Sequence, residues 1–325
     1  MSTRDKEEQL SMRYIFIVNP IAGRSDYTEE LRETILKLQD AGGIEKYEIL
    51  STEYSGHARK LAREKAEQYL DIEQGVRIYS CGGDGTLNEV MQGVYDCNYH
   101  AKYDLLEVGC IPCGTGNDFI KNFLDKKEFM NLEKQLNGKS KAIDLLHTQR
   151  GISASICSLG FDANVGYTTT RYKKMPFCNG KMAYNMAVLE CLLKPISTYL
   201  NIHVDEEVYE GEFLLACIAN GTTYGGGFRS APEASVEDGL MDVILVKKIS
   251  RLFIAKVIAK YSKGEHIIKG EVIPELQSYM IYKKARTVSV EGQYPFVFNR
   301  DGECEKQQSI QVDIKEKVLS FIVPN

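Results

Sequence analysis

Three glycine-bearing turns, each following a short apolar run, constrain this chain more than any other feature. Asn19-Pro20-Ile21-Ala22-Gly23 follows "YIFIV", "CGGDGTLNE" (Cys81 to Glu89) follows "VRIYS", and "PCGTGND" (Pro112 to Asp118) follows "LLEVGCI". Glycine, lacking a Cβ, lets the backbone take φ > 0 and approach a ligand closely. A strand, a tight glycine turn and a helix start together aim several backbone N–H groups at one point, which makes an anion site. The one carboxylate in the second turn, Asp84, would repel phosphate unless a divalent cation sits between them. These residues predict a Mg-nucleotide or other phosphate site.

Around these turns the first half alternates strand-like and helix-like segments. "YTEELRETILKLQ" places Leu31, Ile35 and Leu38 on one helical face, "YEILST" reads as a strand, and "GHARKLAREKAEQYL" and "TLNEVMQGVY" read as helices. The β-α-β order predicts a parallel, Rossmann-like sheet with helices on both faces and ligands at the carboxyl ends of its strands. After about residue 142 strand-like pieces dominate, from "AIDLLHT" to "VLSFIVP", with helices at Gly180 to Lys194 and near "RLFIAKVIAKY". The expectation is an α/β nucleotide-binding domain over 1–142. A mostly antiparallel β-sandwich domain would follow over 143–325.

Composition narrows the function classes. The 325 residues are 43% hydrophobic and 26% charged, with net charge −5 and no long basic stripe, which argues against nucleic acid as partner. No run approaches the about 18 apolar residues of a membrane span, and "MSTRDKEEQLSMRY" lacks the apolar core of a signal peptide. The nine cysteines are scattered, as in a reduced cytoplasmic protein, and Cys110 and Cys113 sit in a glycine loop that offers a use other than redox chemistry. The five histidines show no zinc-binding spacing. "GKS" (Gly138 to Ser140) mimics a P-loop tail, but Glu133 stands where the loop needs glycine.

The three turns, in this order and spacing, together with "TEYSGHA" (Thr52 to Ala58), "GTTYGGGFRSAPEASVEDGLMDV" (Gly221 to Val243) and "RDGE" (Arg300 to Glu303), resemble the diacylglycerol kinase catalytic-domain family over nearly the whole chain. That family includes soluble bacterial lipid kinases and the sphingosine and ceramide kinases. The resemblance implies an NAD-kinase- or phosphofructokinase-like first domain and a lipid kinase using ATP and Mg2+. ATP would be held by Asn19, Pro20, Ile21, Ala22, Gly23, Thr52, Gly83, Asp84, Gly85, Thr86, Leu87, Asn88, Glu89 and Thr115. Asp84 would help organise the catalytic Mg2+ through water. Asp238, with the carbonyls of Ser235 and Leu240, would hold a structural Mg2+, and in isolation that turn reads as a solvated acidic loop. Asp301 would accept the proton of the lipid hydroxyl, with Glu303 orienting it; alone, "DGE" is only a turn between strands. Asn117 and Asp118 are expected to cap the helix beginning near Phe119.

The stretch Thr168 to Asn185 mixes Arg171, Lys173, Lys174 and Lys181 with Tyr172, Phe177 and Tyr184, a composition suited to anionic headgroups or to a solvated basic loop. The expected setting is cytoplasmic, with transient peripheral association, a lipid substrate at a membrane surface and no transmembrane segment. Which lipid is the acceptor and whether the chain is a homodimer stay open. Two other readings stand beside the lipid kinase: a kinase of a soluble acceptor, since NAD kinases share "GGDGT", and a non-catalytic nucleotide- or lipid-binding module. The intact Asp84, Asp301 and Glu303 argue against the last.

Overall fold

The computed structural model describes residues 12–23, 26–69, 75–97, 106–175, 178 and 180–325, the side chain of Lys181 excepted. The expected element ends Leu70 and Leu105, and Phe177 of the basic stretch, lie outside these residues. The chain divides into two compact units: residues 1–144 with 316–325, and residues 145–315.

The first unit is built on strands β1 (Arg13–Val18), β2 (Lys46–Ser51), β3 (Val76–Gly82) and β4 (Leu106–Pro112), alternating with helices α1 (Thr28–Asp40), α2 (His57–Tyr69) and α3 (Asp84–Asp96). Their spatial order is β4-β3-β1-β2, all parallel. Tyr14, Phe16 and Val18 pack on one face with Leu31 and Ile35 of α1, and the intervening Ile15 and Ile17 are equally buried. Burial on both faces is what turns β1 into an unbroken apolar run. The register aligns Val18 with Ser51 and Cys81, and Cys81 with Ile111, so all three glycine turns leave the sheet at one edge. A 3-10 turn (Phe119–Asn122) and two short helices, α4 (Lys126–Phe129) and α5 (Leu132–Leu136), follow β4.

The second unit holds strands β6 (Gly151–Ser153), β7 (Ile156–Gly160), β8 (Thr198–Val204), β9 (Glu207–Ala219), β10 (Met241–Lys247), β13 (Met280–Ala285) and β14 (Thr287–Arg300), with a short hairpin β11 (Ile267–Ile268) and β12 (Glu271–Val272). Pairing among β13, β10, β9, β7 and β14 is antiparallel throughout. The long strands serve two layers. Glu207 to Phe213 of β9 and Val288 to Gly292 of β14 pair with β8, while their later halves pair with β7. Leu200, Ile202, Phe213, Val243, Val288 and Phe298 share the core between the layers. Three helices, α6 (Phe161–Lys173), α7 (Gly180–Leu193) and α8 (Arg251–Tyr261), belong to the second apolar cluster.

The structure differs from the expected boundaries in two places. Strand β5 (Lys139–Thr148) crosses between the units at 144/145, and β15 (Glu303–Val323) crosses back at 315/316. The last ten residues therefore belong to the first unit, where Ser320 and Phe321 pair in parallel with Glu107 and Val108 of β4. Phe321 is fully buried there, ringed by Phe119, Phe123 and Phe129. The second difference is that Thr168 to Lys173, expected in a basic loop, forms the end of helix α6.

His266 is fully buried in the second unit, against the Tyr261 ring and with Nε2 2.8 Å from the Ser230 carbonyl oxygen. Burial pushes its pKa down to about 4. Between the ordinary histidine pKa and that value the unfolded chain takes a proton that the fold refuses, so stability is lost as pH falls through this window. Urea denaturation of wild type and His266→Gln from pH 7 to 4 should show the wild-type slope exceeding the variant's by up to about 1.4 kcal/mol per pH unit. Equal slopes would show that the fold holds the protonated ring.

Candidate active site

In the first unit the turns after β1, β3 and β4 are tied to each other. Asn19 donates its backbone N–H to the Cys81 carbonyl at 2.9 Å and its Nδ2–H to Thr86 Oγ1 at 3.1 Å, and its Oδ1 accepts the Ile21 N–H at 3.2 Å. Gly23 has φ +82°, and a Cβ there would collide with the Cys113 carbonyl oxygen. Gly114 donates to the Gly82 carbonyl at 3.0 Å, and a Cβ on Gly114 would sit 2.5 Å from the Gly83 Cα. Asn117, at φ +52°, donates its Nδ2–H to the same Gly82 carbonyl at 3.1 Å.

Gly85 is of a different kind. It is exposed in the first turn of α3, and a Cβ there would meet nothing within 4 Å. Packing therefore does not require glycine at 85. The first N–H groups of α3, from Asp84 onward, have no acceptor within their own helix and carry the positive end of its dipole. An open cradle beside unpaired N–H groups fits a phosphate.

Asp84 opens α3, and its Oδ1 accepts the N–H of Asp118 at 2.7 Å and of Phe119 at 3.3 Å. This corrects the expected capping, because Asp84 and not the Asn117–Asp118 pair caps the 3-10 turn. Asp118 instead pairs with Lys121 Nζ at 2.6 Å. Burial pushes the Asp84 carboxyl above the usual carboxylate range, while these amides pull it back. A carboxylate offers about four acceptor positions, so capacity remains for the water shell of a cation.

The other expected nucleotide residues divide by task. Glu89 spends its carboxylate within the protein: it accepts the N–H of Gly56 at 2.8 Å and of Ala58 at 3.1 Å, which fixes the "TEYSGHA" loop at the start of α2. Leu87 is buried in the core, whereas Ile21 is 89% exposed, an apolar side chain with nothing packed over it. Thr52 is half-buried at the end of β2, and Thr115 is exposed. Pro20 and Ala22 complete the first turn, where Ala22 N–H bonds the Asn19 carbonyl at 3.1 Å. Asn88 is buried, with Oδ1 among the described side-chain oxygens lacking a hydrogen-bond partner. Burial holds the Cys110 and Cys113 thiols protonated, Cys113 with a pKa of about 12, so neither supplies a thiolate near neutrality.

In the second unit, Asp301 sits at φ +45° in the tight β14–β15 turn. Its carboxylate accepts the N–H groups of Ala154 at 2.7 Å, Ser155 at 3.2 Å and Ile156 at 2.9 Å. Burial raises its pKa, and these amides oppose the rise. Glu303 has a different role from the expected one. It accepts from Arg300 Nη2 at 2.5 Å, and backbone amides, not Glu303, orient Asp301. The turn is braced by Asn299, whose Oδ1 accepts the Gly302 N–H at 2.9 Å and whose Nδ2 donates to Ser158 Oγ at 3.1 Å. Asn299 is not singled out by the sequence, where the signal available is only an asparagine directly before "RDGE".

The expected metal turn is occupied by the chain itself. Asp238 Oδ1 accepts the Leu240 N–H at 3.1 Å, and Oδ2 accepts from Lys284 Nζ at 2.8 Å. The same ammonium lies 3.2 Å from Asp242 Oδ2 and 3.4 Å from the Glu233 carbonyl oxygen, and Ser235 Oγ accepts the Glu237 N–H at 3.3 Å. Lys284 thus donates to Asp238 Oδ2 and the Glu233 carbonyl and lends its charge to Asp242, whose buried Oδ2 accepts no hydrogen bond. The Asp238 carboxylate is thereby taken up by the Leu240 amide and the Lys284 ammonium, which a Mg2+ at this turn would have to displace. No group of three or more His, Cys, Asp or Glu suited to a metal occurs among the described residues.

A cavity of about 390 Å3 also lies in the second unit, with Phe161 and Val297 among its apolar lining and Arg171, Lys194 and Lys306 among its cations. Val297 and Lys306 pair across the β14–β15 ladder that ends in the Asp301 turn.

Comparison with known proteins agrees with these two parts. Residues 13–148 match the diacylglycerol kinase catalytic domain, and residues 155–323 match the YegS C-terminal NAD kinase beta sandwich-like domain. A diacylglycerol kinase of Bacillus subtilis (strain 168) is 28% identical over 291 residues, covering 88% of each chain. One from Staphylococcus aureus (strain bovine RF122 / ET3-1) is 28% identical over 312 residues, covering 95% of this chain and 91% of that protein. Among solved structures, a diacylglycerol kinase from Bacillus anthracis str. Sterne superimposes with TM-score 0.67 at 20% identity, covering 96% of this chain and 97% of the other.

Two outcomes follow from the geometry. Gly114→Ala should lower the melting temperature by several degrees, because its Cβ meets the Gly83 backbone at 2.5 Å, while Gly85→Ala should leave it unchanged or higher. Equal effects in calorimetry would mean that the two glycines serve the same purpose. At the Asp238 turn, wild-type melting should be indifferent to Mg2+ or chelator. Lys284→Met, which leaves two carboxylates uncompensated, should be less stable and regain stability with added Mg2+. A wild-type melting point that rises with Mg2+ and loses this response in Asp238→Ala would place the ion at this turn after all.

Proposed function

The chain belongs to the diacylglycerol kinase catalytic-domain family, and on that premise we propose that it is a lipid kinase, transferring the γ-phosphate of ATP to the hydroxyl of diacylglycerol or a related lipid to give phosphatidic acid or a lipid phosphate. The observation that carries this reading is the cradle at Gly85. It is a glycine that packing does not require, beside unpaired helix N–H groups and next to a buried, amide-held carboxylate. Backbone N–H groups of the second turn would receive phosphate oxygens, with Asn19 to Gly23, Thr52, Thr86 and Thr115 supplying the remaining polar contacts at the strand edge. Asp84, fixed on two amides, is the carboxylate suited to orient the water shell of Mg2+, which when bound neutralises charge on the transferring phosphate.

Asp301 is the proton acceptor in this reading. Three amides hold its two oxygens in one orientation, and burial raises its basicity, two properties that a general base requires. The acceptor hydroxyl gives its proton to this carboxylate as the oxygen attacks phosphorus. The apolar lining of the neighbouring cavity favours a lipid over a polar acceptor, and the cations around it suit a lipid at an anionic surface. No helix among the described residues is long and apolar enough to cross a membrane.

The test is steady-state kinetics on short-chain diacylglycerol in mixed micelles, with sphingosine, phosphatidylglycerol and NAD as alternative acceptors. Asp301→Asn should lower kcat by at least about 10²-fold with ATP affinity little changed. Glu303→Gln, whose native partner is Arg300, should cost far less. Retention of more than about a tenth of wild-type kcat in Asp301→Asn would remove the base assignment, and phosphorylation of NAD alone would replace the lipid by a soluble acceptor.

A further inference from the structure

Helix α7 is apolar on both faces, yet only one is covered. Ala183, Ala187 and Cys191 are buried, while Met182, Met186, Leu189 and Leu193 are 42, 37, 62 and 79% exposed. Their spacing of four, three and four residues makes one continuous stripe along the outside of the helix. A helix with this pattern is normally buried, and a contiguous exposed apolar patch marks a surface that something else covers. The stripe continues into α8. Arg251 donates to the carbonyls of Leu192 at 2.8 Å and Lys194 at 3.0 Å, which sets Leu252, 93% exposed, beside the end of α7.

Charge identifies the cover. The chain as a whole carries −5, but from Ala163 to Thr198 it contains Arg171, Lys173, Lys174, Lys181 and Lys194 against one acid, Glu190. That acid is already neutralised, with its carboxylate accepting from Arg171, from Tyr172 Oη at 2.7 Å and from Lys194 Nζ at 2.5 Å. Flexible Met and Leu side chains near Lys173 and Lys174, which make no ion pair among the described residues, fit the boundary between acyl chains and anionic headgroups. We propose that the outer face of α7, with Leu252 of α8, is the surface on which this protein lies against an anionic lipid bilayer. The proposal rests on the reading of the chain as a lipid kinase, because it is the acceptor that requires the bilayer. Cys191, on the covered side of this helix, and Lys194 just beyond its end also line the cavity described above.

The experiment is co-sedimentation of the full chain with phosphatidylcholine vesicles, with and without phosphatidylglycerol. Wild type should partition to the anionic vesicles and be released by salt. Leu189→Glu with Leu193→Glu should weaken binding at least about tenfold with the melting temperature unchanged, because neither side chain is packed. Lys173→Glu with Lys174→Glu should abolish the preference for anionic lipid. Unchanged partition of the leucine variant, or wild type remaining in solution with both vesicles, would overturn the proposal. So would a wild-type dimer that the leucine variant converts to monomer, since the face would then bind a second copy. Lipid phosphorylation in micelles without vesicle binding would defeat this surface and spare the kinase reading; vesicle binding without lipid phosphorylation would do the reverse.

Discussion

The close approach of two backbones, Gly83 after β3 and Gly114 after β4, is the constraint on which the first unit's site depends. Neither residue has a side chain to separate the two turns, so Gly114 N–H reaches the Gly82 carbonyl and the third turn folds over the start of α3. Only then can Asp84 receive the amides of Asp118 and Phe119, and only then does Asn117 take a left-handed conformation to reach Gly82. Glycine at 114 exists for the protein's own contact, since a Cβ there would sit 2.5 Å from the Gly83 Cα; a Cβ at 83 would make only ordinary contact, and one at 85 would meet nothing. That contrast separates structural from functional glycine within one motif, which a string of letters does not.

Three carboxylates illustrate two ways of handling a partly buried charge. Asp84 and Asp301 are held by backbone amides, which orient the oxygens without cancelling their charge. Burial raises both pKa values and the amides oppose the rise. Asp238 is treated otherwise: a lysine from β13 pairs with it and approaches Asp242, so that one cation offsets one of the two charges. Amide-held acids suit chemistry, and cation-paired acids suit structure.

Much of this was legible from local pattern. The parallel α/β half, its glycine turns at one sheet edge and the antiparallel second half each follow from periodicity and turn chemistry that a short window contains. What escaped was non-local. Lys284 stands 46 residues from Asp238, and only β10–β13 pairing, with Asp242 opposite Lys284, brings them together. The return of Phe321 to the first unit is invisible for the same reason, since "SFIVP" reads equally well as a strand of either part. Helix α6 was obscured by its composition: Thr168, Thr169 and Thr170 disfavour helix, and the left-handed Gly160 before it reads as a loop. Thr169 stays helical by returning its hydroxyl to the Val165 carbonyl at 2.7 Å.

The proposed docking sets an acidic protein against an anionic bilayer, an apparent conflict that distance resolves. At physiological ionic strength charges are screened beyond about 8 Å, so the net −5 of the whole chain contributes little to the energy at any one face. What the headgroups meet is the local surplus of lysine and arginine around α6 and α7. The same screening gives the remaining acids a use, because a face that approaches the bilayer by its acidic side gains no attraction to offset desolvation. In the proposed docking the exposed leucines of α7 lie beside that local surplus, so apolar contact and charge attraction would act on the same face.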